Sequence, residues 1–261
     1  MFLLTTKSFV NCDLKFIVHR NLQNHLFMRL IAPNLWQLSG FPPNIINTYL
    51  IAEGNDVVLI DAGTRYMTNR ILRTLKRFFA EEGHREKRLI GHALTHVHPD
   101  HQGASKAVCD AYGVPLWCGE RDAEPMEQGL ANRAEAKGLL GLLMRVWSGP
   151  AHSVARRLQE GDMVAGFRVL DSPGHSAGHI AFWRESDKCL ILGDVLNGMN
   201  LMTGLPGLNE PPAPFTADIP QNRRSIRKLA ALKPEIICFG HGAPLIKKPH
   251  KLEEFIRHLP M

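Results

Sequence analysis

The chain has 261 residues, of which 44% are hydrophobic and 21% charged, and its formal net charge is +6. This length and composition fit one large folded domain and exclude a disordered or collagen-like chain. The five cysteines form no CxxC pair, and no apolar run reaches the roughly 20 residues that span a bilayer, so we expect a cytoplasmic protein with free thiols.

The N-terminal segment differs from the rest of the chain. Residues 1–27 carry no clear pattern, whereas the stretch that begins at Met28 reads as a natural domain start. We therefore predict an N-terminal extension over residues 1–27, outside the core, and one folded domain over residues 28–261.

The predicted elements alternate between strands and helices along this domain. "NLWQLSG" and "NTYLIAEGNDVVLIDAG" read as strands, "TNRILRTLKRFFA" as an amphipathic helix, and "RLIGHALTH" as a further strand. "DHQGASKAVCDAYG" is predicted as a helix and "PLWCGE", "FRVLD", "HIAFWRE" and "KCLILGD" as strands, and a last helix, "RRSIRKLAALK", precedes the buried strand "EIICFG". Because the strands fall into two groups with helices at the outer connections, we expect two packed sheets covered by helices.

Two segments escape this scheme. Residues from about 121 to 158 read as a helical insertion with an apolar centre, and residues 197–215 as a long loop rich in Met, Leu and Pro. Since both flank histidine-bearing loops, we expect them to form a hydrophobic lid or pocket wall. The alternative is that they are core filler and linker.

Basic clusters such as "RRSIRK" invite a nucleic-acid interpretation. They lack interleaved aromatic residues, and "RRSIRKLAALK" places Ile226, Leu229 and Leu232 at helical spacing. We therefore expect these charges to coat the solvent face of a helix, and we expect no nucleic-acid or membrane partner.

The stretch "LTHVHPDHQG" places three histidines and an aspartate within six positions. In an extended strand alternate side chains share a face, so His96 and His98 project together, and Pro99 keeps His98 extended. Asp100 and His101 follow where a helix starts. A single histidine here would more often be structural, but so many ionisable groups at one corner favour a metal site.

Three further candidate ligands each follow a predicted buried strand: His175 in "LDSPGHSAGH", Asp194 in "LILGD" and His241 in "IICFGHG". In this order, "THVHPDH", "SPGHSAGH", "LGDV" and "FGHG" resemble the motifs of the metallo-β-lactamase superfamily of metal-dependent hydrolases. The resemblance covers residues 28–261 and implies an α+β fold, the αββα sandwich, in which two mixed sheets pack face to face. The ligands would lie on loops along one edge of the sheets.

The resemblance also implies two metal ions held by seven side chains: His96, His98 and His175 for one ion, Asp100, His101 and His241 for the other, and Asp194 as a bridge. It places Asp61, in "LIDAG", behind the ligands as a supporting group, and Thr95 and His179 are candidates for the same role. For His179, an ordinary hydrogen-bonded structural role is the favoured alternative.

The implied chemistry is hydrolysis by a metal-bridging hydroxide. Two dications lower the pKa of a shared water, the hydroxide attacks a carbonyl carbon, and Asp100 would orient it or pass its proton to the leaving group. Nitrogen and oxygen ligands suit zinc and also iron or manganese, and we expect two zinc ions.

The expected substrate is a small molecule, a lactone or other carboxylic ester with an apolar portion. The bridging Asp194 disfavours a classical β-lactamase, and only residues 242–261 follow His241, which is short for the extra domain of a glyoxalase II-like thioesterase. The thioesterase and a mononuclear iron persulfide dioxygenase remain the main alternatives, ahead of a nuclease or phosphodiesterase and a non-catalytic binding module. The oligomeric state stays open, a homodimer included.

Overall fold

A computed structural model describes residues 28–40, 42–130 and 148–260 of the chain. The predicted N-terminal extension, residues 1–27, lies outside the described residues. So do residues 131–147, the apolar centre of the predicted helical insertion.

The strands form two large sheets, as the sequence predicts. The first sheet has seven strands in chain order: β1 (Met28–Ala32), β2 (Leu35–Ser39), β3 (Asn47–Glu53), β4 (Asp56–Ile60), β5 (Arg88–Ala93), β6 (Leu116–Gly119) and β7 (Val154–Leu158). The second has six strands: β8 (Met163–Val164), β9 (Phe167–Asp171), β10 (Ile180–Arg184), β11 (Cys189–Gly193), β14 (Ile236–Phe239) and β15 (Leu245–Ile246). These six lie in the order β15-β14-β11-β10-β9-β8.

Helices cover the outer faces of both sheets. The described helices are α1 (Thr68–Ala80), α2 (Pro99–Gln102), α3 (Ser105–Tyr112), α4 (Glu120–Glu127), α5 (Ile219–Ala230) and α6 (Pro249–His258). Helix α1 buries Leu75 and Phe78 against the first sheet, and α5 buries Ile226 and Leu229 against the second. These side chains recur at three- or four-residue spacing, so one apolar stripe of each helix faces its sheet.

The main core lies between the sheets. Ile51 and Val58 from the first sheet pack in one cluster with Phe167, Phe182 and Ile191 from the second. Alternate residues of a strand share a face, so each sheet presents one apolar face to the other and one to its helices. The structure is thus an αββα sandwich, the predicted fold class.

Parallel pairing decides where the site lies. Strand β4 pairs in parallel with β5, and β11 pairs in parallel with β14. The carboxyl ends of parallel strands meet at one edge of a sheet, and the segments that follow these four strands carry most of the predicted ligands. The fold therefore brings motifs that are far apart in sequence to one edge.

Four local predictions were wrong. The helix before β14 is not the last one, since α6 follows β15. Residues 154–158, predicted as part of the helical insertion, form the edge strand β7, whose burial alternates as a half-covered strand requires. Residues 197–215, predicted as a loop, contain a hairpin of β12 (Asn197–Met199) and β13 (Pro206–Asn209). Strand β5 ends at Ala93, so His96 and His98 lie in an extended loop, because the Thr95 amide donates to Asp61 Oδ1 instead of a neighbouring strand.

Other expectations concern the thiols and the membrane. The described cysteines, at positions 109, 118, 189 and 238, are buried free thiols, as predicted. No helix within the described ranges is long and apolar enough to cross a bilayer.

Candidate metal centre

All seven predicted ligand side chains lie together at the sheet edge. Within each of three groups, the ligand atoms lie within 4.8 Å of one another: His96 with His98 and His175, Asp100 with His101 and His241, and His96 with His101 and Asp194. We call His96, His98 and His175 the first triad, and Asp100, His101 and His241 the second triad. The first triad combines loops of both sheets: His96 and His98 follow β5 of the first sheet, and His175 lies between β9 and β10 of the second.

Asp194 lies between the two triads. Its Oδ1 is 3.4 Å from His101 Nε2, and its Oδ2 is 3.0 Å from His241 Nε2 and 3.7 Å from His175 Nε2. One carboxylate thus faces ring nitrogens of both triads, which is the geometry that a bridging ligand requires.

Hydrogen bonds fix the ring orientation in the first triad. The Thr95 hydroxyl donates to Asp61 Oδ2 at 2.9 Å and lies 3.0 Å from His96 Nδ1, so it accepts the proton of that nitrogen. Thr216 does the same for His175, whose Nδ1 lies 3.4 Å from a hydroxyl that donates to the Pro212 carbonyl. In both rings the proton sits on Nδ1, and the lone pair on Nε2 is available to a metal.

The second triad is oriented in the same way by other partners. His101 Nδ1 donates to Asp61 Oδ2 at 2.9 Å, and His241 Nδ1 donates to the Ile45 carbonyl. His241 Nε2 then faces Asp100 Oδ2 at 3.2 Å. Each ring again points Nε2 into the space between the triads.

Several of these inward-facing atoms lack a hydrogen-bond partner among the described residues. They are the buried Nε2 atoms of His96, His101 and His175 and the Oδ1 atom of Asp194. A buried polar atom without a partner costs free energy, and four such atoms converging on one space call for a ligand that satisfies them together. Imidazole nitrogens and carboxylate oxygens are donors that zinc, iron and manganese accept, so these residues fit divalent metal.

The two triads differ in electrostatics. Burial holds the pKa of His96 and that of His175 well below the usual value, and neighbouring histidines add to the effect. Burial also opposes the charged form of His101 and His241. The negative charge of Asp194 outweighs burial at both rings, and Asp61 adds to its effect at His101 and Asp100 at His241. The pKa of His101 is therefore raised well above its usual value, and that of His241 to about 10. A metal entering the second triad therefore displaces protons.

Asp61 lies directly behind His101 and the loop that carries His96. It accepts hydrogen bonds from the Thr95 amide at 2.8 Å, from the Thr95 hydroxyl and from His101. Its φ of +60° is a left-handed conformation that is unfavourable for most residues with a side chain. Backbone strain of this kind persists where the surroundings fix it, and it clusters at functional sites.

His179 lies behind Asp194 and is hydrogen-bonded through both ring nitrogens. Its Nδ1 lies 2.9 Å from the Ser172 hydroxyl, and its Nε2 accepts from the Asp194 amide at 3.2 Å. Burial lowers the pKa of His179 to about 3, so the ring is neutral. With both nitrogens engaged, His179 supports the backbone of Asp194 and is not placed to bind a metal.

Sequence reasoning missed several side chains that hold the site. Asp122 accepts hydrogen bonds from both loops of the first triad, and Asn47 bonds to the loop that carries His241. Asn47 is a polar residue at the start of the buried strand β3, which is a signal that sequence alone could have used. Asp122 and Thr216 carry no comparable signal.

Comparison with known proteins adds independent support for a metal centre at this site. A model of the Metallo-beta-lactamase superfamily matches residues 41–241. The probable metallo-hydrolase YflN of Bacillus subtilis is 31% identical over 231 residues, which cover 80% of this chain and 85% of YflN. The probable metallo-hydrolase YybB of the same organism is 24% identical over 217 residues, covering 81% of this chain and 87% of YybB.

Solved structures of the same superfamily resemble this fold. A metallo-beta-lactamase family protein from Thermus thermophilus, TTHA1429, superposes with a TM-score of 0.63 at 26% identity, covering 88% of this chain and 80% of that one. TTHA1623, solved in a di-iron-bound form, has a TM-score of 0.58 at 28% identity, with coverages of 82% and 96%.

Proposed function

The chain belongs to the metallo-beta-lactamase superfamily of metal-dependent hydrolases, and on that premise we propose that it cleaves a carboxylic ester, preferably a lactone, at a centre of two metal ions. The observation that carries the proposal is the convergence of unpartnered Nε2 atoms on both sides of the Asp194 carboxylate. One triad alone would not need a carboxylate placed between two sets of ligands.

Two divalent ions, zinc by preference, would supply an acidified water and an electrophile for the substrate carbonyl. The first triad would hold one ion, the second triad the other, and Asp194 both. The di-iron form of TTHA1623 supports two metal ions in such a fold and makes iron the alternative to zinc. A mononuclear iron centre would use the first triad and Asp194 and leave the buried histidines of the second triad without a purpose.

Asp100 is the acidic group best placed to handle protons. Its side chain is 28% exposed, whereas that of Asp194 is 5% exposed and enclosed by histidines. A carboxylate at the open side of the centre can orient the attacking water and carry its proton to the oxygen of the leaving alcohol. In a lactone that oxygen remains in the product, so the proton transfer completes ring opening.

The segment of residues 197–217 supports a substrate with an apolar portion. At one end the Gly198 amide donates to the His241 carbonyl at 2.8 Å, and at the other the Ala217 amide donates to the His175 carbonyl at 3.2 Å. The segment is therefore anchored to a ligand of each triad. Between these anchors, Met202 is 81% and Leu205 65% exposed, which leaves apolar surface free to contact an acyl chain.

The test is a substrate comparison with the metal-loaded protein. We expect hydrolysis of a lactone or a simple carboxylic ester to exceed that of a thioester and of a phosphodiester. Activity should disappear on chelation and return when the metal is restored. A protein that loads two metals but hydrolyses only the thioester or only the phosphodiester would overturn the ester assignment.

A further inference from the structure

Asp122 is a buried carboxylate outside the predicted ligand set. It lies in the first turn of α4 and is 2% exposed. Its Oδ2 accepts hydrogen bonds from the Val97 amide at 3.1 Å and the Ser176 hydroxyl at 2.9 Å, and its Oδ1 accepts from the Gly178 amide at 2.7 Å. All of these donors lie in the two loops that carry the first triad.

The position of each donor explains what Asp122 can do. Val97 stands between His96 and His98, and Ser176 directly follows His175. The loop with Val97 follows β5 of the first sheet, whereas the loop with Ser176 connects β9 to β10 of the second. One carboxylate therefore joins the two loops across the sandwich and fixes the distance between their histidines.

The loop that carries Gly178 packs so closely on Asp122 that a side chain at position 178 has no room. A Cβ atom added to Gly178 would lie 2.6 Å from Asp122 Oδ1 and closer still to the Asp122 amide. Only glycine allows the loop to approach the helix so closely. Without the carboxylate, the Val97 and Gly178 amides would lose their acceptor, and the loops would lose their common anchor.

Asn47 offers a matched comparison on the other side of the site. Its side-chain amide donates to the Phe239 carbonyl at 3.0 Å and the Gly242 carbonyl at 2.8 Å, on either side of His241. Its Oδ1 accepts from Gln37 Nε2 at 2.7 Å. Asn47 thus braces the second triad as Asp122 braces the first, and it is equally buried.

We propose that Asp122 is a positioning residue that sets the metal affinity of the first triad without touching metal or substrate. The inference rests on the proposed function only in that the first triad binds a metal ion. Outer partners of ligating histidines typically change metal affinity about 10–100-fold, and Asp122 acts on both loops at once.

The experiment is a chelator-competition titration of the metal-free, full-length protein with Zn²⁺, repeated with Co²⁺ to record the visible spectrum. His98→Ala and His101→Ala assign the two binding steps to the first and second triads. We expect Asp122→Ala to weaken the first-triad step about 10–100-fold and to alter its Co²⁺ spectrum while sparing the second. Asn47→Ala should show the opposite selectivity, and Ser176→Ala, which removes one donor, a smaller loss than Asp122→Ala.

Asp122→Asn is the second variant if Asp122→Ala does not fold. Its amide keeps the size and one acceptor oxygen, so an intermediate loss at the first-triad step is expected. Equal weakening of both steps in the Asp122 variants, or unchanged binding at both, overturns the positioning role. A wild-type protein that binds no metal refutes the proposed function itself, whereas normal wild-type binding with unaffected Asp122 variants refutes only this inference.

Discussion

The Asp61 carboxylate accepts a hydrogen bond from His101 Nδ1 at 2.9 Å, and this contact turns His101 Nε2 toward Asp194. The same oxygen accepts the Thr95 hydroxyl, which in turn fixes the ring of His96. A single residue that follows β4 therefore orients one histidine of each triad. Loss of its carboxylate should weaken metal binding at both triads.

Replacement of Asp61 by Asn tests this role. Asn tolerates the left-handed backbone of position 61, so Asp61→Asn should stay folded. Its amide group cannot accept all the bonds that the carboxylate accepts, and we expect overall metal affinity to fall about 10–100-fold. Chelator competition measures the change. Asp56→Asn, at the start of the strand that precedes Asp61, is the control, and equal affinities in the two variants would contradict the role.

The ligand set itself is tested by His101→Ala and Asp194→Ala. His101→Ala removes a ring of the second triad, and Asp194→Ala removes the carboxylate that lies between the triads. Each change should therefore lower the metal content. Hydrolysis should fall by at least about 100-fold, the upper end of the loss expected from an outer partner alone. Metal analysis, activity and circular dichroism are measured together, with His250→Ala on α6 as the exposed control. Full activity in either variant would disprove the two-metal scheme.

The buried His92 makes stability depend on pH. Burial lowers its pKa to about 4 from an ordinary value of 6.5, and the neutral ring lies 3.0 Å from the Leu59 carbonyl and 2.8 Å from the Ser105 hydroxyl. Because the folded pKa is depressed, His92 lowers stability as pH falls from 6.5 toward 4, where the unfolded chain binds a proton that the folded chain excludes. Between pH 7 and pH 5 this amounts to about 2 kcal/mol.

Urea unfolding of the metal-free protein at the two pH values measures the effect. His92→Asn should be less stable at pH 7 but should lose about 2 kcal/mol less than wild type on going to pH 5. His250→Asn should follow wild type. An unchanged pH dependence in His92→Asn would show that His92 is not the group responsible.

The exposed hairpin residues test the apolar substrate portion. Replacing both Met202 and Leu205 by Ser should raise KM at least about tenfold for an ester with a long acyl chain, since even one buried aliphatic side chain contributes about 1.5–3 kcal/mol. An acetyl ester should be hardly affected. The control is Met163→Ser, an exposed methionine on β8 outside this segment. Equal effects on both esters would remove the hairpin from substrate binding.

The convergence of the seven candidate ligand side chains at one sheet edge could be predicted from the sequence, because each follows a buried strand and the motifs occur in a recognisable order. The supporting residues could not be predicted in this way, since their contacts are made across the fold: Asp122 bonds to partners 25 to 56 positions away. The hairpin β12–β13 was missed because its sequence is rich in Gly, Pro and Asn. It is held by strand pairing and by the Asn200 side chain, which accepts from the amides of Met202 and Thr203.

Strand β7 was missed for another reason. "VARRL" has too few apolar residues to read as a strand alone, but Val154 and Leu158 pair with β6 and cover the edge of the first sheet. Tertiary contacts override local propensity here.

The most direct test of the account is the metal content of the purified, unchelated protein, measured by elemental analysis alongside turnover of a lactone by the same sample. We predict two metal ions per chain and lactone or ester hydrolysis that is lost on chelation. One iron per chain without hydrolysis, or hydrolysis that persists after all metal is removed, would contradict it.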